Sequence, residues 1–173
     1  STRTSASFEI AAQRLGFNFI NFDIANSSGK KGETLLDTVK TLKSMGVDAF
    51  VIRHKETGIH SQLIEEIGAE CIIVNAGEGH ISHPTQGLLD LLTIQQVKKT
   101  FENLIVTIVG DIAHSRVARS TAEGLTTMGV KELRLVSPKE FIPHEKLTPV
   151  TKHFISLNEG LENADVVMAL RIQ

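Results

Sequence analysis

The chain has 173 residues, of which 41% are hydrophobic and 22% are charged, so it has enough apolar residues to form the core of a globular protein. Its formal net charge is -2 and no long run of like charges occurs, which excludes a nucleic-acid or membrane-surface protein that depends on a basic face. The single cysteine, Cys71, excludes an internal disulfide and is typical of a reducing compartment. We expect a cytoplasmic protein without a membrane span or signal peptide, and a buried, inert thiol at Cys71.

The first half of the chain alternates short β-rich runs with helical patterns. Apolar residues recur at helical spacing from Phe8 to Leu15, and the pattern stops at Gly16, where we expect the helix to end. The patterns that follow predict a strand at 17–22, a polar loop at 23–32, a helix at 33–45, a strand at 48–52, a helix at 60–67, a strand at 70–75 and a loop at 76–83. This order predicts parallel βαβ units.

A second series begins at Pro84, which suits the first turn of a helix predicted at about 85–100. The later patterns predict a strand at 104–110, a helix at 114–128 closed by Gly129, strands at 132–137 and near 152–156, a helix near 158–164 and a strand at 165–170. We therefore expect an α/β protein with two doubly wound parallel-sheet domains, 1–83 and 84–173, joined by the helix after Pro84. The opening Ser-Thr-Arg-Thr and the closing Arg-Ile-Gln look like cuts, so we expect truncation at both ends.

Ser1, Thr2, Arg3 and Thr4 immediately precede the first predicted helix. Backbone N–H groups without partners and the positive end of the helix dipole attract anions there. Arginine adds a guanidinium that matches phosphate oxygens. The segment indicates a phosphate site, although an ordinary Ser/Thr helix cap has the same composition.

Other candidate binding residues lie in loops or at strand ends, where α/β proteins place ligands. Each of them also has a structural interpretation, as a surface charge, a helix-start residue or a solvated turn. They are Lys31, Arg53, His54, His83, Gln86, Arg116 and Arg171. The histidines lack metal-ligand spacing and no GxGxxG motif opens a helix, so we expect neither a metal site nor a nicotinamide cofactor.

Six segments, in this order, resemble the signature blocks of aspartate carbamoyltransferases, a branch of the carbamoyltransferase family. They are STRTSASFEIAAQRLG, NSSGKKGETLLDT, VIRHKETG, NAGEGHISHPTQGLLDLLTI, IVGDIAHSRVARS and MALRIQ. STRT and HPTQ also occur in ornithine carbamoyltransferases, whereas GKKGETLLDT, VIRH and NAGEGHISHPTQ resemble the aspartate branch. Ser5 and Glu78 depart from the usual arginine and aspartate, and we expect both to be support positions.

The resemblance implies transfer of the carbamoyl group from carbamoyl phosphate to the amine of L-aspartate, in de novo pyrimidine biosynthesis, without a cofactor. It implies that the segment from Ser1 to Thr4 and Arg53 hold the phosphate. Thr4, Arg53 and His83 would polarise the carbamoyl oxygen, and Gln86 would bind the carbamoyl nitrogen.

The resemblance also implies an aspartate site and shared subunits. Arg116, Arg171 and Gln173 match the aspartate-binding positions. Ser27 and Lys31 match a loop that a neighbouring subunit contributes, with Lys31 reaching both substrates and taking part in catalysis, which implies a homotrimer. A regulatory chain or a dihydroorotase is a further candidate partner. Two alternatives stay open: a carbamoyltransferase for ornithine or another amino acid, and a catalytically silent assembly chain.

Overall fold

The structure is a computed structural model that describes residues 2–22, 33–68 and 71–172. The chain forms two compact units, one of Ser1–Arg53 with Gly58–Ala76 and one of His54–Thr57 with Gly77–Gln173. No helix in the described residues is both long and apolar enough to cross a membrane. The domain boundary at 83 to 84 stays a prediction.

The first unit contains three helices and most of two paired strands. They are α1 (Thr2–Arg14), α2 (Leu35–Ser44), β1 (Ala49–His54), α3 (Ile59–Ile67) and β2 (Ile72–Glu78). A capping box starts α2, because Thr34 Oγ1 accepts from the N–H of Asp37 at 3.1 Å and the Asp37 carboxylate accepts from the N–H of Thr34 at 3.3 Å.

The core of the first unit lies between α2, α3 and the two strands. It is centred on Val39, Phe50, Leu63 and Ile67, all of them buried. Cys71 packs against this cluster, and its thiol donates to the carbonyl of Asp48 at 3.2 Å. Cys71 is half-buried, not fully buried as expected from the sequence. This partial burial raises the pKa of its thiol, which favours the less reactive protonated form.

The strand predicted at 17–22 is wrong. These residues form neither helix nor strand, and Phe17, Ile20 and Phe22 expose 65%, 74% and 43% of their surface. The alternating apolar pattern is that of a strand, but a strand also needs a neighbour to pair its N–H and C=O groups. In the described part of the chain, this segment pairs with neither β1 nor β2.

The second unit is built on a parallel sheet, as the sequence predicts. Its elements are α4 (Pro84–Lys98), β3 (Ile105–Val109), α5 (Arg116–Thr127), β4 (Glu132–Val136), a 3₁₀ turn at Lys139–Phe141, β5 (Thr151–Phe154), α6 (Leu157–Leu161) and β6 (Val166–Ala169). The four strands lie in the order β5-β4-β3-β6, and every neighbouring pair is parallel.

Helices cover both faces of this sheet. Val106 and Ile108 of β3 lie in the same buried cluster as Leu125 of α5. Between them, the Thr107 hydroxyl points to the other face and donates to the carbonyl of Gly160 in α6 at 2.8 Å. Since successive side chains of a strand alternate between faces, α5 and α6 lie on opposite sides of β3.

Helices α4 and α5 approach each other closely at two glycines, Gly87 and Gly124. A Cβ on Gly87 of α4 would lie 3.1 Å from the carbonyl oxygen of Ser120 in α5. Further along, a Cβ on Gly124 of α5 would lie 2.7 Å from Cδ1 of Leu91. The missing side chain at Gly87 therefore lets the two helix backbones come together beside the start of α4.

Candidate active site

The first candidate group lies at the start of α1. Thr2, Arg3 and Thr4 form the first turn of this helix, so the prediction that they precede it is wrong. The helix starts before the apolar pattern that begins at Phe8, because first-turn residues that face solvent leave no apolar spacing in the sequence. Their position still favours an anion, because the N–H groups of a first turn have no partner within the helix.

Arg53 joins this group from the end of β1. Its Nη1 donates to Oγ1 of Thr4 at 3.1 Å, a contact between residues 49 positions apart in the sequence. The hydrogen bond places a second guanidinium at the helix start that carries Arg3. Because Arg53 is exposed, its remaining donors are accessible to a ligand.

Two further hydrogen bonds lie near α1 and the end of β1. The Asn21 side-chain amide donates to Oγ of Ser5 at 2.7 Å, which ties the segment after α1 back to that helix. After β1, Nδ1 of His54 accepts from the N–H of Glu56 at 3.1 Å, so His54 shapes the turn that follows the strand.

The second candidate group lies at the start of α4. His83 immediately precedes this helix, and its N–H donates to Oγ of Ser120 in α5 at 2.8 Å. Oγ1 of Thr85 lies 3.4 Å from Nδ1 of the same histidine. Pro84 occupies the first turn, where its missing N–H costs no helical hydrogen bond.

Also in the first turn of α4, the Gln86 side chain begins a chain of two hydrogen bonds that leads to α5. Its Nε2 donates to Oδ1 of Asp90 at 2.9 Å, and Oδ2 of Asp90 accepts from Oγ1 of Thr121 at 2.9 Å. Thr121 is buried in α5. The first turns of α4 are thus tied to α5 by Ser120 and Thr121.

Arg116 and Arg171 follow the neighbouring strands β3 and β6. Arg116 is the first residue of α5, whose start is capped by Ser115 Oγ accepting from the N–H of Ala118 at 3.1 Å. Nη1 of Arg116 donates to the carbonyl of Gly79 at 2.8 Å. Arg171 lies exposed two residues beyond the end of β6. Both arginines therefore follow carboxyl ends at one edge of the sheet, where α/β folds bind ligands.

Four predicted site residues lie outside the described part of the chain: Ser1, Ser27, Lys31 and Gln173. Their roles stay predictions. Within the described ranges, no group of three or more His, Cys, Asp and Glu side chains could hold a metal ion.

Three polar residues beside the predicted ones were not predicted from the sequence: Asp90, Ser120 and Thr121. Asp90 carried a signal, because it lies four positions after Gln86 in a predicted helix, a spacing at which side chains meet. Ser120 and Thr121 carried no local signal, since their contacts depend on how closely α5 packs against α4.

Comparison with known proteins identifies relatives of this chain. The sequence model of the aspartate/ornithine carbamoyltransferase carbamoyl-phosphate-binding domain matches residues 1–96. The chain is 51% identical, over all 173 residues, to the aspartate carbamoyltransferase catalytic subunit of Ruthia magnifica subsp. Calyptogena magnifica. It spans 54% of that protein, about half the length of the relative.

Solved structures of aspartate transcarbamoylase from Trypanosoma cruzi are also similar to the whole chain. The complex with carbamoyl phosphate and aspartate is 31% identical with a TM-score of 0.90, and the chain covers 61% of it. The complex with carbamoyl aspartate and phosphate is 33% identical with a TM-score of 0.89, and the chain covers 57% of it. The match of sequence over the first helix, β1 and the start of α4, together with the match of fold over all residues, shows that this chain belongs to the aspartate/ornithine carbamoyltransferase family.

Proposed function

We propose that the chain is part of an enzyme that transfers the carbamoyl group of carbamoyl phosphate to the amine of L-aspartate. The products are N-carbamoyl-L-aspartate and phosphate, and the reaction belongs to de novo pyrimidine biosynthesis. The observation that carries the proposal is the hydrogen bond between Arg53 and Thr4, which joins a guanidinium to a hydroxyl at the start of α1. The relative that is 51% identical bears the name of this enzyme.

The start of α1 has the chemistry that a phosphate dianion requires. Thr2 and Thr4 offer hydroxyls, Arg3 and Arg53 offer guanidiniums, and the first turn offers free N–H groups. No carboxylate takes part in the contact between Thr4 and Arg53. A site of donors and positive charge binds an acyl phosphate strongly, since charge-assisted hydrogen bonds are about twice as strong as neutral ones.

The reaction is an acyl transfer. The deprotonated amine of aspartate attacks the carbamoyl carbon and forms the new C–N bond, while the carbonyl electron pair moves onto oxygen. The oxyanion's electron pair then re-forms the carbonyl as the bond from carbon to the phosphate oxygen breaks. Phosphate leaves with the electrons of that broken bond, and the added nitrogen loses a proton. We assign Thr4, Arg53 and His83 to the developing oxyanion and Gln86 to the carbamoyl nitrogen, because fixed donors at such an oxygen lower the barrier.

The second substrate distinguishes this proposal from its nearest alternative. Aspartate carries two carboxylates, and the arginines Arg116 and Arg171 can each pair with one. We assign Gln173 to the same substrate. Ornithine has one carboxylate and a second amino group, so it would leave one of these guanidiniums without a carboxylate partner.

We further propose a homotrimer in the cytoplasm with shared active sites, to which Ser27 and Lys31 come from a neighbouring subunit. A regulatory chain or a dihydroorotase is the candidate further partner. The support for the trimer is the resemblance of the segment that carries Ser27 and Lys31 to the corresponding loop of the family. The support for the cytoplasm is Cys71, a free thiol.

The test supplies carbamoyl phosphate with either aspartate or ornithine to the full-length protein. We expect one phosphate and one N-carbamoyl-L-aspartate per turnover with aspartate, and no carbamoylated product with ornithine. Product formed only with ornithine would favour the alternative substrate. No product with either amine, from protein that is folded and oligomeric, would favour the silent assembly chain.

A further inference from the structure

The amide of Gln86 has a defined orientation, because its neighbour can only accept. An ionised carboxylate has no hydrogen to donate, so the group that faces Oδ1 of Asp90 at 2.9 Å must be the NH₂ of Gln86 and not its carbonyl oxygen. The carbonyl oxygen of the amide therefore points away from Asp90. An amide without such a neighbour could rotate by half a turn and exchange its donor for its acceptor.

Asp90 is itself held by α5. Its second oxygen accepts from the hydroxyl of Thr121 at 2.9 Å, and Thr121 is 1% exposed. A buried hydroxyl beside a carboxylate donates its one hydrogen to that carboxylate, which fixes the rotamers of both side chains. The three residues form a chain in which Thr121 orients Asp90 and Asp90 orients Gln86.

The orientation of this amide decides which acyl phosphate it recognises. Carbamoyl phosphate carries an NH₂ group on its carbonyl carbon, where acetyl phosphate carries a methyl group. An outward carbonyl oxygen accepts a hydrogen bond from the NH₂ group and has nothing to accept from the methyl group. An outward NH₂ on Gln86 would instead oppose the donor of the substrate.

We propose that Asp90 and Thr121 are positioning residues that hold the carbonyl oxygen of Gln86 toward the carbamoyl NH₂ and thereby select carbamoyl phosphate over acyl phosphates without an amino group. The inference rests on the proposed function. It adds to that function the selection of the donor substrate and the two residues that set it.

The experiment measures the affinity of the full-length protein for carbamoyl phosphate and for acetyl phosphate. The variants are Asp90→Ala, Thr121→Val and Thr121→Ser. We expect Asp90→Ala and Thr121→Val to lower the affinity for carbamoyl phosphate by about threefold to tenfold, the range for one neutral hydrogen bond. The affinity for acetyl phosphate should stay within about twofold of that of the unaltered protein. Thr121→Ser keeps the hydroxyl and should retain the preference for carbamoyl phosphate over acetyl phosphate.

Thr127→Val is the matched control, because Thr127 lies on the same helix and its hydroxyl donates to the carbonyl of Glu123 at 3.0 Å. It should change neither affinity. An equal loss for both phosphates in Asp90→Ala and Thr121→Val would mean that the pair has a purely structural role, and unchanged selectivity in both would also overturn the inference. If the unaltered protein transfers no carbamoyl group to aspartate, the proposed function fails first, so the two failures are distinguishable.

Discussion

Arg53 is an exposed residue whose guanidinium donates to the hydroxyl of Thr4. Replacing it with alanine removes a charged donor from the proposed phosphate site. We expect this to weaken the binding of carbamoyl phosphate by about 1.5 to 3 kcal/mol, which is roughly tenfold or more in affinity. Titration calorimetry on the full-length protein measures this loss. Arg14→Ala is the control, because it removes the same charge from the other end of α1. Equal losses in the two variants would show that only net charge matters.

Glu132 is the acidic centre of a small ionic network in the second unit. It accepts from Nε of Arg134 at 2.6 Å and from Nζ of Lys152 at 2.9 Å. These hydrogen bonds, first that of Arg134 and then that of Lys152, lower the pKa of the Glu132 carboxyl. A carboxyl with a lowered pKa in the folded state stabilises the fold above its unfolded pKa, and this stabilisation is lost as the pH falls through the folded pKa.

We therefore expect Glu132→Gln to lower the free energy of unfolding by about 1 kcal/mol at neutral pH. The difference from the unaltered protein should shrink as the pH falls below about 4. Urea unfolding at pH 7, 5 and 3.5 measures it. A difference that is the same at all three values would mean that the ionised carboxylate is not the stabilising species.

The candidate site shows what single residues reveal before a structure is known. The anion-binding character of the segment up to Thr4 follows from residue type and from a helix start, and the structure brings Arg53 to it. The contacts of His83 and Asp90 with α5 were not predictable. They depend on the distance between two helix backbones, which is set by Gly87 and not by the residues that make the hydrogen bonds.

At the scale of elements, the order of helices and strands could be predicted almost completely, because burial of one face imposes a period of 3.6 or 2 on the sequence. The exception at 17–22 shows the limit, since pairing is a property of two segments and periodicity is a property of one. The start of α1 shows another: polar residues in a first turn interrupt the apolar pattern without interrupting the helix.

Two helical glycines of the second unit should respond differently to alanine. A Cβ on Gly160 would meet Cγ2 of Val136, a stiff β-branched side chain in the sheet, so we expect Gly160→Ala to cost about 1 to 3 kcal/mol. A Cβ on Gly124 would meet the terminal methyl of Leu91, which can rotate away. There the gain in helix propensity, about 1 kcal/mol, should offset the contact.

Denaturant unfolding of both full-length variants measures the two changes against the same reference. The comparison is matched, because each substitution adds one methyl group to a helix that packs in the second unit. If Gly160→Ala were as stable as Gly124→Ala, α6 would have to move away from β4 without loss, and the close packing of that helix would not matter for stability.

At the scale of the whole molecule, the proposed shared site predicts complementation. Full-length Lys31→Gln chains and full-length Arg53→Ala chains, each expected to be inactive, are mixed under conditions that exchange subunits. Some interfaces then join an intact Arg53 to an intact Lys31 of the neighbour, and activity should return at those sites. The physical reason is that the Lys31 ammonium of the neighbouring chain raises the positive potential where two anionic substrates meet.

Exchange is verified independently by mass spectrometry of the mixed oligomers. The control mixes each variant with itself and should stay inactive. Mixed oligomers without activity would mean that Lys31 serves its own chain or none, and would leave the phosphate site at α1 unaffected as a proposal.

The close approach of α4 and α5 at Gly87 has a consequence for the way substitutions combine. One distance between the helices governs both the contact of His83 with Ser120 and that of Asp90 with Thr121. Gly87→Ala would move the helices by a few tenths of an ångström and lengthen both hydrogen bonds together. Its effect and that of Thr121→Val should then be epistatic, with a combined loss smaller than the sum, as expected for residues that share one contact network. In related sequences, a change at Gly87, Ser120 or Thr121 should therefore be accompanied by a change at another of these three positions.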